Sequence, residues 1–179
     1  MEDTKLEQIG SVLVDRKTIS KMLVNLSDRI NRDYVGREIL MVGVLKGALV
    51  FMADLMRLIK APVLMDFIVV SSYGVDTETS GVVMLIKDID VDIRDRHVIL
   101  VEDLIDTGFT LKYLTNLLKG RNPASLKICV AFDKPERRKV DIEADYVGIQ
   151  IPDKFVVGYG LDIAGMYRNL PDLHVLRED

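Results

Sequence analysis

Apolar residues along this chain follow two alternating patterns. Continuous runs of Val, Ile and Leu, typical of strands buried on both faces of a parallel sheet, alternate with segments whose apolar residues recur at helical spacing. We predict strands at 9–14, 39–44, 63–70, 82–86, 98–101, 126–132, 146–151 and 173–176. We predict a helix that Asp15 caps and Gly36 ends, and further helices at about 48–59 and 109–119. This alternation predicts an α/β fold with a mostly parallel central sheet flanked by helices.

Composition narrows the class of protein. A chain of 179 residues, 49% of them hydrophobic, suggests one domain with a substantial core. The formal net charge is -4 and the charges are well mixed, so no basic stripe predicts a nucleic-acid partner. No apolar run approaches the roughly 18 to 20 residues that a membrane span needs. The polar, acidic N-terminus is unlike a signal peptide. We therefore expect a cytoplasmic protein that binds neither nucleic acid nor membrane.

Cysteine and histidine residues give no sign of a metal site. Cys129 is the single cysteine and lies in an apolar run, so we expect it to be buried, in keeping with a reducing compartment. One cysteine and two scattered histidines are too few for zinc. We expect His97 to be exposed or capping, and we assign no role to His97 or His174.

Two adjacent carboxylates follow the apolar run at 98–101. Glu102 and Asp103 come directly after what reads as a central strand. Ligands of open α/β sheets bind just past the carboxyl ends of the strands. This pair therefore lies where such a sheet carries its chemistry, and it is suited to hydroxyl groups or to a metal ion.

The turn that follows has the character of a phosphate site. It leads into the predicted helix at 109–119, whose first N–H groups are free to bind an anion. Gly108 allows close approach of a ligand, and Thr107 and Thr110 add hydroxyl donors. A phosphate next to groups that bind a diol fits a ribose 5-phosphate.

Residues 98–111 resemble the phosphoribosyl pyrophosphate (PRPP) motif of the type I phosphoribosyltransferases: two acids, two apolar spacers, a third acid, then Thr-Gly-x-Thr. The wording Val-Glu-Asp-Leu-Ile-Asp-Thr-Gly most resembles the hypoxanthine-guanine branch of that family. A second segment, Ile-Pro-Asp-Lys-Phe-Val-Val-Gly-Tyr at 151–159, resembles the same branch. The similarity extends from about Val12 to Leu176.

This resemblance implies an activity and an architecture. It implies Mg²⁺-dependent transfer of the 5-phosphoribosyl group from PRPP to N9 of a 6-oxopurine, hypoxanthine or guanine. The products would be IMP or GMP and pyrophosphate, a reaction of purine salvage. It also implies the type I fold in a single domain, with a core at about 36–150 and a small hood from about 1–14 and 151–179. Relatives are commonly homodimers or homotetramers.

The resemblance also implies roles for individual residues. Those that would bind ribose and phosphate are Glu102, Asp103, Asp106, Thr107, Gly108, Phe109 and Thr110. Those that would bind pyrophosphate are Lys46, Gly47 and Arg168. Those that would bind the purine are Lys134, Phe155, Val156 and Asp162. Mg²⁺ would lie near Glu102, Asp103 and Asp162, and a lid would carry Ser72 and Tyr73. Phe109 occupies a variable motif position, so contacts there fall to the backbone and to hydroxyls.

Several of these residues have ordinary alternatives. Lys46 could be a surface lysine beside a helix start, although an anion nearby would suit a cation at that place better. By resemblance, the peptide bond before it is predicted to be cis. Lys134 could be a solvated lysine before a proline turn, Phe155 could belong to the core, and the polar segment 71–81 could be a plain hairpin loop. The basic run at 137–139 reads as solvated surface.

Asp106 has two interpretations. A carboxylate inside a phosphate-binding turn repels its ligand, so its presence needs a reason. It could cap the following helix, although Thr107 could do this instead. By resemblance it is the general base that removes a proton from N7 of the purine as N9 attacks the ribose.

Two other functions remain open. A relative acting on xanthine, uracil or orotate is the nearest enzymatic alternative, and Lys134 with Phe155 and Val156 favours a 6-oxopurine over a pyrimidine. A regulatory protein that senses PRPP is the alternative from another class. Such a protein would not need Asp106, Lys46 and a closing loop together, and it would usually carry a basic nucleic-acid face.

Overall fold

The computed structural model describes residues 9–72, apart from the side chain of Ser72, and residues 83–177. Its strands are β1 (Ile9–Val14), β2 (Ile39–Leu45), β3 (Val63–Ser72), β4 (Val83–Lys87), β5 (His97–Ile105), β6 (Ser125–Asp133), β7 (Tyr146–Gln150), β8 (Val156–Val157) and β9 (Leu173–Leu176). Its helices are α1 (Arg16–Asp33), α2 (Leu49–Met56) and α3 (Phe109–Lys119), with a 3-10 turn at Pro135–Arg137.

A six-stranded sheet in the order β4-β3-β2-β5-β6-β7 forms the centre of the molecule. All its neighbouring pairs are parallel except β3 with β4, which are antiparallel. The predicted α/β fold with a mostly parallel sheet is therefore confirmed. A separate antiparallel sheet in the order β1-β9-β8 joins the N-terminal strand to the last two strands.

Helices cover both faces of the central sheet because its inner strands are apolar on both sides. Successive residues of β2 face opposite sides of the sheet, so Met41 belongs to one hydrophobic cluster and Val42 to the other. One cluster packs against α1 and α2, and the other packs against α3. With its faces covered in this way, the sheet can present its carboxyl edge to a ligand.

Most predicted elements are present, but several ends differ. The first helix ends at Asp33, and the chain turns through Gly36 with a φ of 69°. The second helix ends at Met56 rather than at residue 59. The larger correction concerns β5, which continues to Ile105 instead of ending at 101. Its backbone pairs with β6 beyond the apolar run, so Glu102 and Asp103 lie within the strand. Register with a neighbouring strand can thus extend a strand through charged residues.

Predictions for the cysteine and histidines had mixed outcomes. Cys129 is fully buried as predicted, and burial raises the pKa of its thiol. His97 is half-buried rather than exposed: its Nδ1 lies 2.8 Å from Ser125 Oγ, and its ring meets Tyr34 edge to face. Within the described ranges, no helix is long and apolar enough to span a membrane.

Candidate active site

Two neighbouring cavities open at the carboxyl edge of the central sheet. The first, of about 280 Å³, is lined by residues that include Gly47, Glu102, Asp103, Asp106, Thr107, Gly108, Thr110, Asp162 and Arg168. The second, of about 570 Å³, is lined by Asp103, Leu104, Asp106, Lys134, Arg137, Asp153, Lys154, Phe155, Val156, Leu161 and Asp162. Asp103, Leu104, Asp106 and Asp162 line both, so they stand at the boundary between the cavities. Residues far apart in sequence thus surround two adjoining cavities.

The turn between β5 and α3 forms one wall of the first cavity. Gly108 is the N-cap of α3, with a φ of 88° and no side-chain cap hydrogen bond. Neither Asp106 nor Thr107 therefore caps this helix, which removes the ordinary explanation of Asp106. A Cβ on Gly108 would lie 2.6 Å from the Ile142 side chain, so glycine is required for space as well as for its backbone angle. The uncapped helix start leaves N–H groups available to an anion.

Glu102 is a buried carboxylate, and Asp103 beside it is half-buried. Burial raises the pKa of both, and the neighbouring Asp103 adds to the effect on Glu102. The Oε2 atom of Glu102 is buried and has no hydrogen-bond partner among the described residues. A buried carboxylate oxygen of this kind needs a donor or a cation from outside the protein. The pair therefore suits a ligand that brings hydroxyl groups or a metal ion.

The turn after β2 packs closely against this pair. A Cβ on Gly47 would lie 1.7 Å from Asp103 Oδ2, so the carboxylate rests directly on the glycine backbone. The Leu45–Lys46 peptide bond is cis, as predicted. Lys46 is exposed and does not line either cavity.

Asp162 and Arg168 form an ion pair on the opposite wall. Arg168 Nη2 lies 2.5 Å from Asp162 Oδ1, and Arg168 Nη1 donates to the carbonyl of Gly160. The other oxygen of Asp162 accepts a hydrogen bond from the Gly165 N–H at 2.7 Å. Across the described part of the chain, no group of three or more His, Cys, Asp or Glu residues is arranged to hold a metal. A metal ion here would need ligands from a substrate or from water.

The second cavity combines a buried cation with an exposed aromatic ring. Lys134 is buried, and its Nζ donates to the carbonyl of Lys154 at 2.7 Å. Burial lowers its pKa, and the alternative of a solvated lysine is wrong. Phe155 is 58% exposed beside the cavity, so it is not a core residue. Val156 is buried in β8, so the backbone next to Phe155 is held in place.

Two arginines were missed by the sequence interpretation. Arg137 Nε donates to Asp106 Oδ1 at 2.7 Å, and its Nη1 donates to Asp153 Oδ1 at 3.4 Å. Arg138 donates to the Asp133 carboxylate and to the Asp106 carbonyl. Arg137 is exposed as predicted, although its carboxylate partners come from two other loops. The prediction of solvated surface is wrong for Arg138, which is half-buried beside Asp133 at the end of β6. A basic pair just after a strand end was the only local signal.

Leu104 was also missed, since it was interpreted as a spacer within the motif. It lines both cavities and is an apolar residue among five acidic ones, Glu102, Asp103, Asp106, Asp153 and Asp162. Of the predicted lid residues, Ser72 ends β3 and its side chain is not described, while Tyr73 lies outside the described residues. Phe109 begins α3 and does not line either cavity.

Comparison with known proteins agrees with this geometry. A model of the phosphoribosyl transferase domain family matches residues 13–164. The hypoxanthine-guanine phosphoribosyltransferase of Streptococcus mutans is 50% identical over 175 residues, which cover 97% of each chain. A crystal structure of a hypoxanthine-guanine phosphoribosyltransferase from Bacillus anthracis is 51% identical, with a TM-score of 0.89, and the match covers 93% of this chain and 98% of that one. The hypoxanthine phosphoribosyltransferase of Trypanosoma cruzi in complex with the product IMP is 41% identical, with a TM-score of 0.88 over 96% of each chain. This chain therefore belongs to the phosphoribosyltransferase family, and within it to the hypoxanthine-guanine phosphoribosyltransferases.

Proposed function

We propose that this enzyme transfers the 5-phosphoribosyl group of PRPP to N9 of hypoxanthine or guanine, giving IMP or GMP and pyrophosphate. The observation that carries the proposal is the joining of two unlike cavities at Asp106. One is lined by the turn at the uncapped start of α3, and the other has a buried lysine and an exposed aromatic ring. A nucleoside monophosphate has the same two ends, with its glycosidic bond between them.

The first cavity would hold the ribose and its 5-phosphate. The free N–H groups of the turn, with the hydroxyls of Thr107 and Thr110, suit the phosphate. Glu102 and Asp103 would accept hydrogen bonds from the ribose hydroxyls, and the unpartnered Glu102 Oε2 supports this role. Phe109 would contribute only its backbone.

Pyrophosphate would lie between the turn after β2 and the opposite wall. Gly47 and Arg168 line this part of the cavity, and the exposed Lys46 is free to reach an anion from the same turn. Arg168 would offer charge-assisted hydrogen bonds to the departing oxygens. The Arg168–Asp162 pair would keep the guanidinium in place before the substrate arrives.

A magnesium ion fits the donors that are present. Mg²⁺ keeps several waters and binds phosphate oxygens together with one or two carboxylates, so it does not need a cage of protein ligands. Glu102 and Asp103 would hold it on one side, with Asp162 on the other. When bound, the ion neutralises charge on the pyrophosphate leaving group.

The second cavity would hold the purine. Phe155 would stack on the ring, the Val156 backbone would contact the ring edge, and Lys134 would donate to the exocyclic oxygen at C6. Its hydrogen bond to the Lys154 carbonyl leaves two more ammonium protons for the base. This preference for a C6 oxygen favours hypoxanthine and guanine over adenine.

Proton transfer is assigned to Asp106. As the bond between ribose C1 and pyrophosphate breaks and the bond from C1 to N9 forms, the purine must lose one proton. Asp106 borders both cavities and would accept this proton from N7. The three-stranded β1-β9-β8 sheet, as the hood of a single domain, and a lid with Ser72 and Tyr73 would shield the reacting sugar from water.

An absorbance assay tests the proposed function. With PRPP and Mg²⁺, hypoxanthine or guanine should give rapid nucleotide formation, while adenine and uracil should give none, because neither suits the contacts assigned to the purine. Chelation of the metal should abolish the reaction, and added Mg²⁺ should restore it. The rate of nucleotide formation with xanthine shows how far the base specificity extends. If every base fails while PRPP still binds, the protein is a PRPP sensor instead.

We also propose that the enzyme is a homodimer or homotetramer. The edge strand β4 and its neighbour β3 carry exposed apolar side chains at Met65, Met84 and Ile86. Exposed apolar side chains on an edge strand and its neighbour are suited to an interface, here with a second copy of the chain.

Light scattering after size exclusion tests this assembly. The unaltered enzyme should have the mass of a dimer or tetramer, and the double variant Met84→Lys, Ile86→Lys should have a lower mass, because the charges would be buried without partners. Val35→Lys, at an exposed apolar position outside β3 and β4, serves as the control and should leave the mass unchanged. An unaltered mass in the double variant would mean that another surface forms the assembly.

A further inference from the structure

Arg137 connects two acidic side chains across the wall of the purine cavity. It lies in the 3-10 turn that follows β6, and its N–H donates to the Lys134 carbonyl at 3.1 Å. Its guanidinium binds Asp106 at 2.7 Å and Asp153 at 3.4 Å. Asp106 is the stronger contact by distance. All three side chains line the second cavity, so this connection borders the space assigned to the base.

The two oxygens of the Asp106 carboxylate are in different situations. Oδ1 accepts the hydrogen bond from Arg137 Nε, whereas no hydrogen bond from the described residues reaches Oδ2. An ionised carboxylate has several acceptor positions, so one bound oxygen leaves the other able to accept a proton. A carboxylate on a turn would otherwise rotate about its side-chain bonds. The contact with Arg137 restricts that rotation.

Arg137 is itself fixed from two directions. Proline at the start of its 3-10 turn restricts the backbone, and the preceding Lys134 is tied to the Lys154 carbonyl. Asp153 precedes Lys154 and meets the guanidinium, so the turn and the loop at 152–155 are linked twice. The planar guanidinium suits this arrangement because its donors point in fixed directions.

We propose that Arg137 is a positioning residue for the reaction: it binds one oxygen of Asp106 so that the other faces the purine, with Asp153 as its anchor. This inference rests on the proposed function, in which Asp106 accepts the N7 proton. A catalytic base is commonly oriented by a third group in this way. Arg137 does not accept the proton, so it acts only through Asp106.

A double-mutant cycle tests this role. Arg137→Gln should lower kcat by about ten- to a hundredfold, the size of effect expected when a reacting group is misplaced, while KM for PRPP stays unchanged. In the Asp106→Asn background, the same substitution should have no further effect on kcat. A residue that bound substrate directly, or that held the fold, would still slow the Asp106→Asn enzyme when replaced. Such an additive loss would overturn the proposal.

Graded variants separate position from charge alone. Arg137→Lys keeps the charge but lacks the planar donors, so its kcat should fall between those of the unaltered enzyme and Arg137→Gln. Asp153→Asn should lower kcat in the same direction and by less. Lys139→Gln removes an exposed positive charge two residues away and should leave kcat unchanged. The melting temperatures of all variants should match that of the unaltered enzyme, which would exclude unfolding as the cause of a lower kcat.

Failure of the inference and failure of the proposed function have different signatures. If Asp106→Asn keeps near-normal turnover, Asp106 is not the base, and the proposed mechanism fails first. If Asp106→Asn is slow while Arg137→Gln has a normal kcat, only the role of Arg137 is refuted. If Arg137→Gln raises kcat, the ion pair inhibits the base, and the proposal is wrong in sign.

Discussion

Replacing Asp106 by asparagine should lower kcat by about a hundred- to ten-thousandfold, which is the typical contribution of a positioned general base. The amide has nearly the same shape, and its oxygen can still accept the hydrogen bond that Arg137 donates to Oδ1. It cannot take a proton from N7. We therefore expect the turn to keep its structure and PRPP to bind with unchanged affinity, measured by calorimetry beside the absorbance assay.

A matched control accompanies this variant. Glu136→Gln makes the same chemical change one residue before Arg137, at an exposed position in the 3-10 turn. It should leave both kcat and PRPP affinity unchanged. Near-normal turnover of Asp106→Asn would refute the general-base role. A loss of PRPP binding instead would mean that Asp106 serves the phosphate site.

Replacing Gly47 by alanine should lower kcat/KM for PRPP by about a hundredfold, because catalytic groups displaced by about 1 Å lose activity on that scale. The new Cβ would lie 1.7 Å from Asp103 Oδ2, so the carboxylate or the turn must move. The turn cannot retreat freely, since its carbonyl oxygen lies only 2.2 Å from where a Cβ on Gly160 would be. Asp103 would therefore be displaced from the part of the cavity that we assign to the ribose and the metal ion.

Gly120→Ala provides the control for this substitution. Gly120 ends α3 with a φ of -61°, and a Cβ there would meet its nearest neighbour at 3.4 Å. Alanine should fit at this position, leaving activity unchanged and the melting temperature equal or slightly higher. If Gly47→Ala were as active as Gly120→Ala, the close packing of Asp103 on Gly47 would not matter for catalysis. Circular dichroism would show that both variants are folded.

The sequence determined the order and type of the elements. Apolar runs and helical spacing are local signals, and they predicted the strands and helices on both sides of the motif. The end of β5 could not be predicted from local sequence. A run of four apolar residues indicated a strand at 98–101, but pairing with β6 continues the strand through Glu102 to Ile105. Hydrogen bonds to a neighbouring strand, which no local pattern contains, set that boundary.

The part of the candidate site that neighbouring residues of the chain form could also be predicted from the sequence. Gly108, Thr107 and Thr110 form one turn, so their spacing alone predicted an anion site at a helix start. The cis bond before Lys46 was predicted from the family resemblance and is present. Burial of Lys134 was not predictable in this way, because Lys134 precedes a proline turn that looks exposed until the loop at 152–155 covers it.

Only the tertiary structure determined which side chain binds the carboxylate of Asp106. Arg137 is 31 residues away in the chain, and Asp153 lies on a further loop, yet their side chains form one ion-paired connection at the cavity wall. Sequence spacing within an element fixes which residues share a turn or a helix face. Contacts between loops depend on strand order and on the crossovers that bring the carboxyl ends together. The chain's own pattern therefore specified the turn that we propose binds phosphate, whereas the sheet determined which arginine lies beside Asp106, the proposed general base.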